Sequence, residues 1–262
     1  MTSAKAWLPP EPIGLGQYFP DASPAQSPAD VAVVMPTILR PIILKAVESV
    51  FAQEYSGRIQ LLIGVDKASG PIDPLLKILA RRPANISAVI LALPYSTSIQ
   101  HGGVHYAVDG GALRAILSLT ANSRYVAYLD DDNIWRPNHL SGLHAAMPGK
   151  AWAFSQRMLV DQDSGAELGV DRWDSLGPHQ GRFAADGGFV DPNCLMLDKI
   201  SCAQFLARWS DTSTGRPSLR ADRLVFAAIR DLPYGHVAMP TVLYAIRKTN
   251  ILHQMIRGDI RF

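Results

Sequence analysis

The residues of this chain with the clearest capacity for chemistry are three consecutive aspartates, Asp130, Asp131 and Asp132, directly after the apolar run Tyr125–Leu129 (YVAYL). Adjacent carboxylates repel one another, so they either spread into water as a solvated acidic turn or share a cation. Oxygen ligands of this kind suit Mg²⁺ or Mn²⁺, which keep several waters and bridge substrate phosphates. Trp135-Arg136-Pro137 follows closely and argues against an idle surface loop. Competing signatures are missing. There is no GxxxxGK[ST] phosphate loop, no GxGxxG between a strand and a helix, no GxSxG elbow and no HExxH.

The elements that must hold this triplet alternate in type. Val31–Met35 (VAVVM) and Ile59–Val65 (IQLLIGV) are wholly or nearly apolar, as strands buried on both faces require. Pro41 opens a helical stretch in which Ile43, Ala46, Val47, Val50 and Phe51 share one face. Asp73-Pro74 reads as an N-cap with proline at the first helical position, starting a helix to about Arg82. Ile86–Leu93 is a third strand, residues 110–120 a helix and Tyr125–Leu129 a fourth strand. Such alternation predicts a parallel α/β sheet with right-handed crossovers, doubly wound, with ligands beyond the carboxyl ends of its strands. The second half is less regular. Ala151–Val160 and His236–Arg247 read as strands, Asp198–Trp209 and Asp222–Arg230 as helices, and Gln162–Gly188 and Ser210–Arg220 as polar loops.

Composition sets the boundaries. The chain has 262 residues, 48% of them hydrophobic and 18% charged, which excludes a disordered chain, a coiled coil and a collagen-like repeat. Twenty-five basic against twenty-three acidic residues leave +2, too near neutral for a dedicated nucleic-acid binder. No apolar run approaches the ~20 residues of a membrane-spanning helix. The N-terminus lacks the apolar stretch of a secretory signal. Cys194 and Cys202 follow no zinc or CxxC spacing and read as reduced core thiols, which together predicts a cytoplasmic protein. Residues 1–30, with six prolines, read as an extended arm; 31–262 read as one domain.

Four segments in order resemble the family 2 glycosyltransferases, which have the GT-A fold. They are Val33-Val34-Met35-Pro36-Thr37-Ile38-Leu39-Arg40-Pro41, Ser49-Val50-Phe51-Ala52-Gln53, Val65-Asp66-Lys67-Ala68-Ser69 and Leu129-Asp130-Asp131-Asp132. The resemblance implies a GT-A type, mostly parallel sheet, with residues 31–140 binding a nucleotide-diphosphate sugar and a less regular half, 141–262, binding the acceptor. It places Asp66 at the nucleobase with Pro36, Thr37 and Arg40 lining the same pocket, Asp130 near the ribose beside Asp131, and Asp132 on a Mn²⁺ or Mg²⁺ ion at the diphosphate. It implies inverting transfer to a saccharide, lipid-linked or protein acceptor. Asp222, in Arg220-Ala221-Asp222-Arg223, would then be the general base, or else a plain helix N-cap. The chain departs from the family pattern at Ile38-Leu39 in place of Tyr-Asn, at Lys67 and Ala221 in place of acids, and at an absent Ala-Arg-Asn segment. Where that segment is expected stands residues 101–111, a glycine-rich stretch that either approaches phosphate through its backbone or is a flexible loop.

Weaker candidates complete the set. Asp191 and Asn193 either bind an acceptor hydroxyl or are turn formers. Trp173, with His179 nearby, either stacks on a sugar or clamps its loop onto the core. Arg247 and Lys248 either contact diphosphate oxygens or end a solvated strand. His253 falls where some enzymes of this fold place a third metal ligand. Two further readings stay open: a nucleotidyltransferase on a similar sheet, and a catalytically silent relative that binds nucleotide or sugar or serves as an assembly partner. A homo-oligomer is compatible with each.

Overall fold

A computed structural model describes residues 27–106, 110–211 and 221–260. The proline-rich arm therefore lies almost wholly outside the described residues, as does most of the Ser210–Arg220 loop.

The first half alternates as the sequence predicts: β1 (Ala29–Thr37), α1 (Ile43–Phe51), β2 (Ile59–Val65), α2 (Asp73–Leu79), β3 (Ile86–Ala92), α3 (Gly111–Thr120) and β4 (Ser123–Tyr128). There follow β5 (Ile134–Trp135), α4 (His139–Ala146), β6 (Trp152–Asp161), β7 (Glu167–Val170), β8 (Gly177–Pro178), β9 (Gly188–Phe189), β10 (Leu195–Asp198), α5 (Ala221–Ile229), β11 (Tyr234–Ile246) and α6 (Ile251–Ile256). The main sheet runs β3-β2-β1-β4-β10-β6-β11-β5, with β7 paired to β6, while β8 and β9 form a separate two-stranded ladder. The β3-β2-β1-β4 block is parallel throughout. β10 is antiparallel to both β4 and β6, and β11 returns parallel to β6. The result is a mixed but mostly parallel α/β sheet.

Burial explains these assignments. Val31–Met35 are fully buried and every residue of β2 is buried, so each strand needs cover on both faces. One face is covered by α3: a Cβ on Gly64 would lie 3.0 Å from Leu117 and 3.1 Å from Leu113, so glycine in β2 lets that helix approach.

Two predicted helix starts differ. α2 begins at Asp73 itself, with buried Ile72 in the cap position and no side-chain cap, because anchoring Ile72 in the core sets where the chain turns. It stops at Leu79, short of the turn that leads into Pro83. Asp198 starts no α-helix. It ends β10, its carboxylate accepts the Ile200 and Ser201 N–H groups and two bonds from Arg124, and the helical segment after it is a 3₁₀ stretch, Ala203–Ser210. The loop 162–188 also carries the short strands β7, β8 and the start of β9. Cys194 and Cys202 are free and buried.

His139 is fully buried at the start of α4, stacked on Trp135 at 4.2 Å and hydrogen-bonded through Nδ1 to Thr241 at 2.7 Å. Burial lowers its pKa to about 3. The unfolded chain, with a histidine near ~6.5, binds the proton first as pH falls. The stabilising effect of the neutral ring is thus complete above about pH 6.5 and is lost toward about pH 3, by about 1.4 kcal/mol per pH unit. Between pH 7 and pH 4 the melting temperature of the protein should fall more steeply than that of His139→Phe, which keeps the ring stack without the titration.

Candidate active site

The carboxyl ends of β1, β2 and β4 open into one cleft of about 430 Å³. Its lining includes Pro36 and Thr37 at the end of β1, Arg40 after it, Asp66 after β2, Asp130–Asn133 after β4, Asp191, Asp222 and Tyr244. Six regions of sequence that share no local pattern are brought together because a doubly wound sheet places its ligand crevice there.

The loop after β1 is shaped for this purpose. Thr37 Oγ1 donates to Asp131 at 2.6 Å and accepts the Leu39 N–H at 2.8 Å. Leu39 has φ +62°, a conformation that asparagine adopts more readily than leucine. Burial of its side chain holds it there, so this chain satisfies with a core contact a position where the resembled pattern has Asn. Arg40 pairs with Asp131 and donates to Asp132 at 3.2 Å.

The three aspartates have different surroundings. Asp131 is buried and its oxygens are taken by Thr37 and Arg40, so it braces the cleft wall. Asp130 pairs with Arg114 of α3 and accepts Asn193 Nδ2 at 2.8 Å. Asp132 is the most open, its side chain 44% exposed, and accepts from Arg40 and from Asn133 at 3.2 Å. Partial burial and the neighbouring Asp130 and Asp131 charges, partly offset by Arg40, push its pKa up. Asp66 accepts Ser96 Oγ at 3.1 Å and the Thr97 N–H at 2.7 Å, tying the loop after β3 to the cleft.

Asp222 lies in the first turn of α5, and its Oδ1 accepts the Arg223 N–H at 2.8 Å. Burial first, and the Asp191 charge second, raise its pKa. A carboxylate made more basic and pointed into a cleft suits proton abstraction.

Other predicted site residues fall differently. Asp191 lines the cleft, but its oxygens accept Arg157 at 2.6 Å and the Asn193 backbone and side chain at 2.9 and 2.7 Å. Asn193 is completely buried and cannot meet an acceptor hydroxyl directly. Trp173 packs with the small cluster around Leu159, Ile246, Leu252 and Met255, and does not line the cleft. Arg247 donates to Gln162 at 3.2 Å and Lys248 lies 3.9 Å from Asp163, both exposed beyond the end of β11 and outside the cleft lining. His253 lies 3.5 Å from Asp161 and is not among the residues that line the cleft. His179 lies 3.9 Å from Asp231 on the surface.

Four residues escaped the sequence reading: Arg114, Asn133, Tyr244 and Arg157. Arg114 had a visible signal, a basic residue inside the apolar helical run ALRAIL just after two glycines. Gly110, at φ +72°, packs so near Pro36 that a Cβ would lie 2.7 Å away, which seats the start of α3 against the cleft. Arg157 is buried beneath the site, 2.7 Å from Asp171, 2.6 Å from Asp191 and 4.0 Å from the Tyr244 ring centroid.

A divalent cation fits this donor set. Six aspartates line the cleft against Arg40 and Arg114 among the described residues, so an anionic ligand needs an added positive charge to enter. No three metal-capable side chains among the described residues are grouped so as to hold an ion by themselves. An ion here would thus be held by Asp132, with water and ligand oxygens completing its shell, as is usual for Mg²⁺.

Replacing Arg157 by methionine strands Asp171 and Asp191 in a low-dielectric interior. Urea unfolding should show a loss of about 3–5 kcal/mol, the cost typical of removing one partner from a buried ion pair.

No protein-family model and no curated protein matches the sequence. Solved structures do. TarS 1-349 from S. aureus aligns with TM-score 0.57 at 12% identity over 82% of this chain and 60% of that one. Its complex with UDP-GlcNAc aligns with TM-score 0.57 at 12% identity over 86% and 60%. The mannosyltransferase PcManGT from Pyrobaculum calidifontis, solved with GDP-Man and Mn²⁺, aligns with TM-score 0.56 at 12% identity over 88% and 61%. The chain thus spans about 60% of the length of these structures. At such identity the likeness is one of fold: the mixed, mostly parallel α/β sheet found here is the GT-A-like sheet of these proteins. No helix among the described residues is long and apolar enough to cross a membrane.

Proposed function

We propose that this protein transfers a sugar from a nucleotide-diphosphate donor to an acceptor hydroxyl, with inversion, in the manner of the family 2 glycosyltransferases it resembles. The observation that carries this reading is the convergence of Asp66, Asp130, Asp132 and Asp222 on one cleft at the carboxyl ends of β1, β2 and β4. The structural neighbours solved with UDP-GlcNAc and with GDP-Man and Mn²⁺ support it.

In this reading Pro36, Thr37, Arg40 and Asp66 surround the nucleoside, and Asp130 orients toward the ribose. Arg114 and Arg40 hold the acidic wall against its own repulsion. Asp132 would hold a divalent ion, which would supply positive charge to the departing diphosphate. Asp222 accepts the proton of the acceptor hydroxyl while the new C–O bond forms at the anomeric carbon and the bond to the diphosphate breaks on the opposite face. Its raised pKa matches a base that must be ionised yet basic near neutrality, so the acid limb of the rate profile should lie above the ordinary carboxylate range.

The test begins with melting curves in UDP or GDP, each with and without Mn²⁺. Binding to the folded state raises the melting temperature by mass action. A Mn²⁺-dependent rise selective for one base, abolished in Asp132→Ala, is the expected result. No rise with any nucleotide would favour a catalytically silent relative instead. Asp222→Asn should keep nucleotide affinity within about two-fold while transfer falls about 10²–10⁴-fold, the usual contribution of a general base. Unchanged turnover in that variant would remove Asp222 from the chemistry.

A further inference from the structure

We propose that Asn193 and Asn133 are positioning residues, two neutral amides that clip the Asp130 and Asp132 carboxylates in place from opposite ends of the triplet and so set the affinity of the cleft for its donor. The inference rests on the donor-binding reading above.

Asn193 comes from the 3₁₀ turn Pro192–Cys194 that leads into β10. Its side chain grips Asp130 twice. Oδ1 accepts the Asp130 N–H at 2.7 Å, and Nδ2 donates to Asp130 Oδ2 at 2.8 Å. Nδ2 also donates to Asp191 Oδ1 at 2.7 Å, and the Asn193 carbonyl accepts Trp135 Nε1 at 2.9 Å. Asp191 is anchored in turn on Arg157. A rigid line therefore runs from the buried guanidinium through Asp191 and Asn193 to the first aspartate.

Asn133 does the same work at the other end. Its Nδ2 donates to Asp132 Oδ1 at 3.2 Å and its Oδ1 accepts the Ala245 N–H of β11 at 3.1 Å. Both amides are buried, Asn193 completely and Asn133 at 4% exposure, so their hydrogen bonds meet little competition from water. The choice of residue is informative. An arginine or lysine in either place would orient the carboxylate and also neutralise it. An amide fixes direction without adding to the positive charge that Arg114 and Arg40 already bring to Asp130 and Asp132.

The experiment measures the affinity of UDP and of GDP with Mn²⁺ by calorimetry in five proteins: the unaltered chain, Asn193→Ala, Asn133→Ala, Asp130→Asn and the double variant Asp130→Asn/Asn193→Ala. Each asparagine variant should weaken binding at least ten-fold. In the Asp130→Asn background, Asn193→Ala should add less than about two-fold, since coupled residues act as one. Cys202→Ala, a buried change outside the cleft, serves as the stability control, with a lowered melting temperature and unaltered affinity. Undiminished binding in both asparagine variants, or a full additional loss in the double variant, overturns the proposal. Should Asn193→Ala not fold, Asn133→Ala with Asp132→Asn reads the same coupling at the other end. Failure of the unaltered chain to bind any nucleotide would refute the donor reading and this proposal with it, an outcome distinct from tight binding that the variants retain.

Discussion

Everything in this site depends on keeping like charges close together. Asp66, Asp130, Asp131, Asp132, Asp191 and Asp222 face one cleft, and at such spacing their repulsion would open the loops that carry them. The fold answers with three arginines of different depth. Arg157 sits wholly inside the protein, Arg114 reaches from the helix between β3 and β4, and Arg40 arches over the triplet from the loop after β1. Buried pairs of this kind are weak sources of net stability and strong sources of order. They make one arrangement of the carboxylates far better than its alternatives, and the carboxylates of Asp132 and Asp222 inherit that order.

The first half of the fold is readable because its strands have no solvent side. VAVVM and IQLLIGV admit a doubly covered strand and little else, and the parallel β3-β2-β1-β4 block follows. Asp66 and the triplet are readable for the same reason, since each follows such a run directly. Asp191 and Asn193 are visible as residues, but not in their roles: a turn-forming pair and a clip beneath a binding wall have the same local sequence, and only the register of β10 beside β4 tells them apart. Arg157 gives no signal in the alternating strand SQRMLVD, because an arginine in a strand is ordinarily on its wet face. Arg247 and Lys248 mislead for the opposite reason: the basic residues at the end of β11 project past the sheet to Gln162 and Asp163.

The two halves divide the work. The parallel block is a row of apolar strands whose carboxyl ends bring Thr37, Asp66 and Asp130 to the cleft. The second half adds β10, β6 and β11 on the far side of β4, and through them supplies Asp191, Tyr244 and the floor beneath the cleft. Arg223 lies 3.6 Å from the Phe183 ring centroid and 3.7 Å from that of Phe189, which clamps the 181–189 stretch against the start of α5 and thereby against Asp222. Loops of this length keep a defined shape when aromatic and cationic side chains tie them to the scaffold.

β10 has a bearing on how the chain is made as well as on what it binds. It is only four residues long and arrives late, yet it sits at the centre of the sheet and seals the edge of β4. While a ribosome is still adding residues 129 to 194, β4 offers its backbone donors and acceptors to any passing strand, the hazard that open edges carry. The segment that closes this edge begins two residues after Asn193. Closure of the β4 edge and the anchoring of Asp130 by Asn193 therefore arrive together in the life of the nascent polypeptide, and a chain that stops before Asn193 has neither.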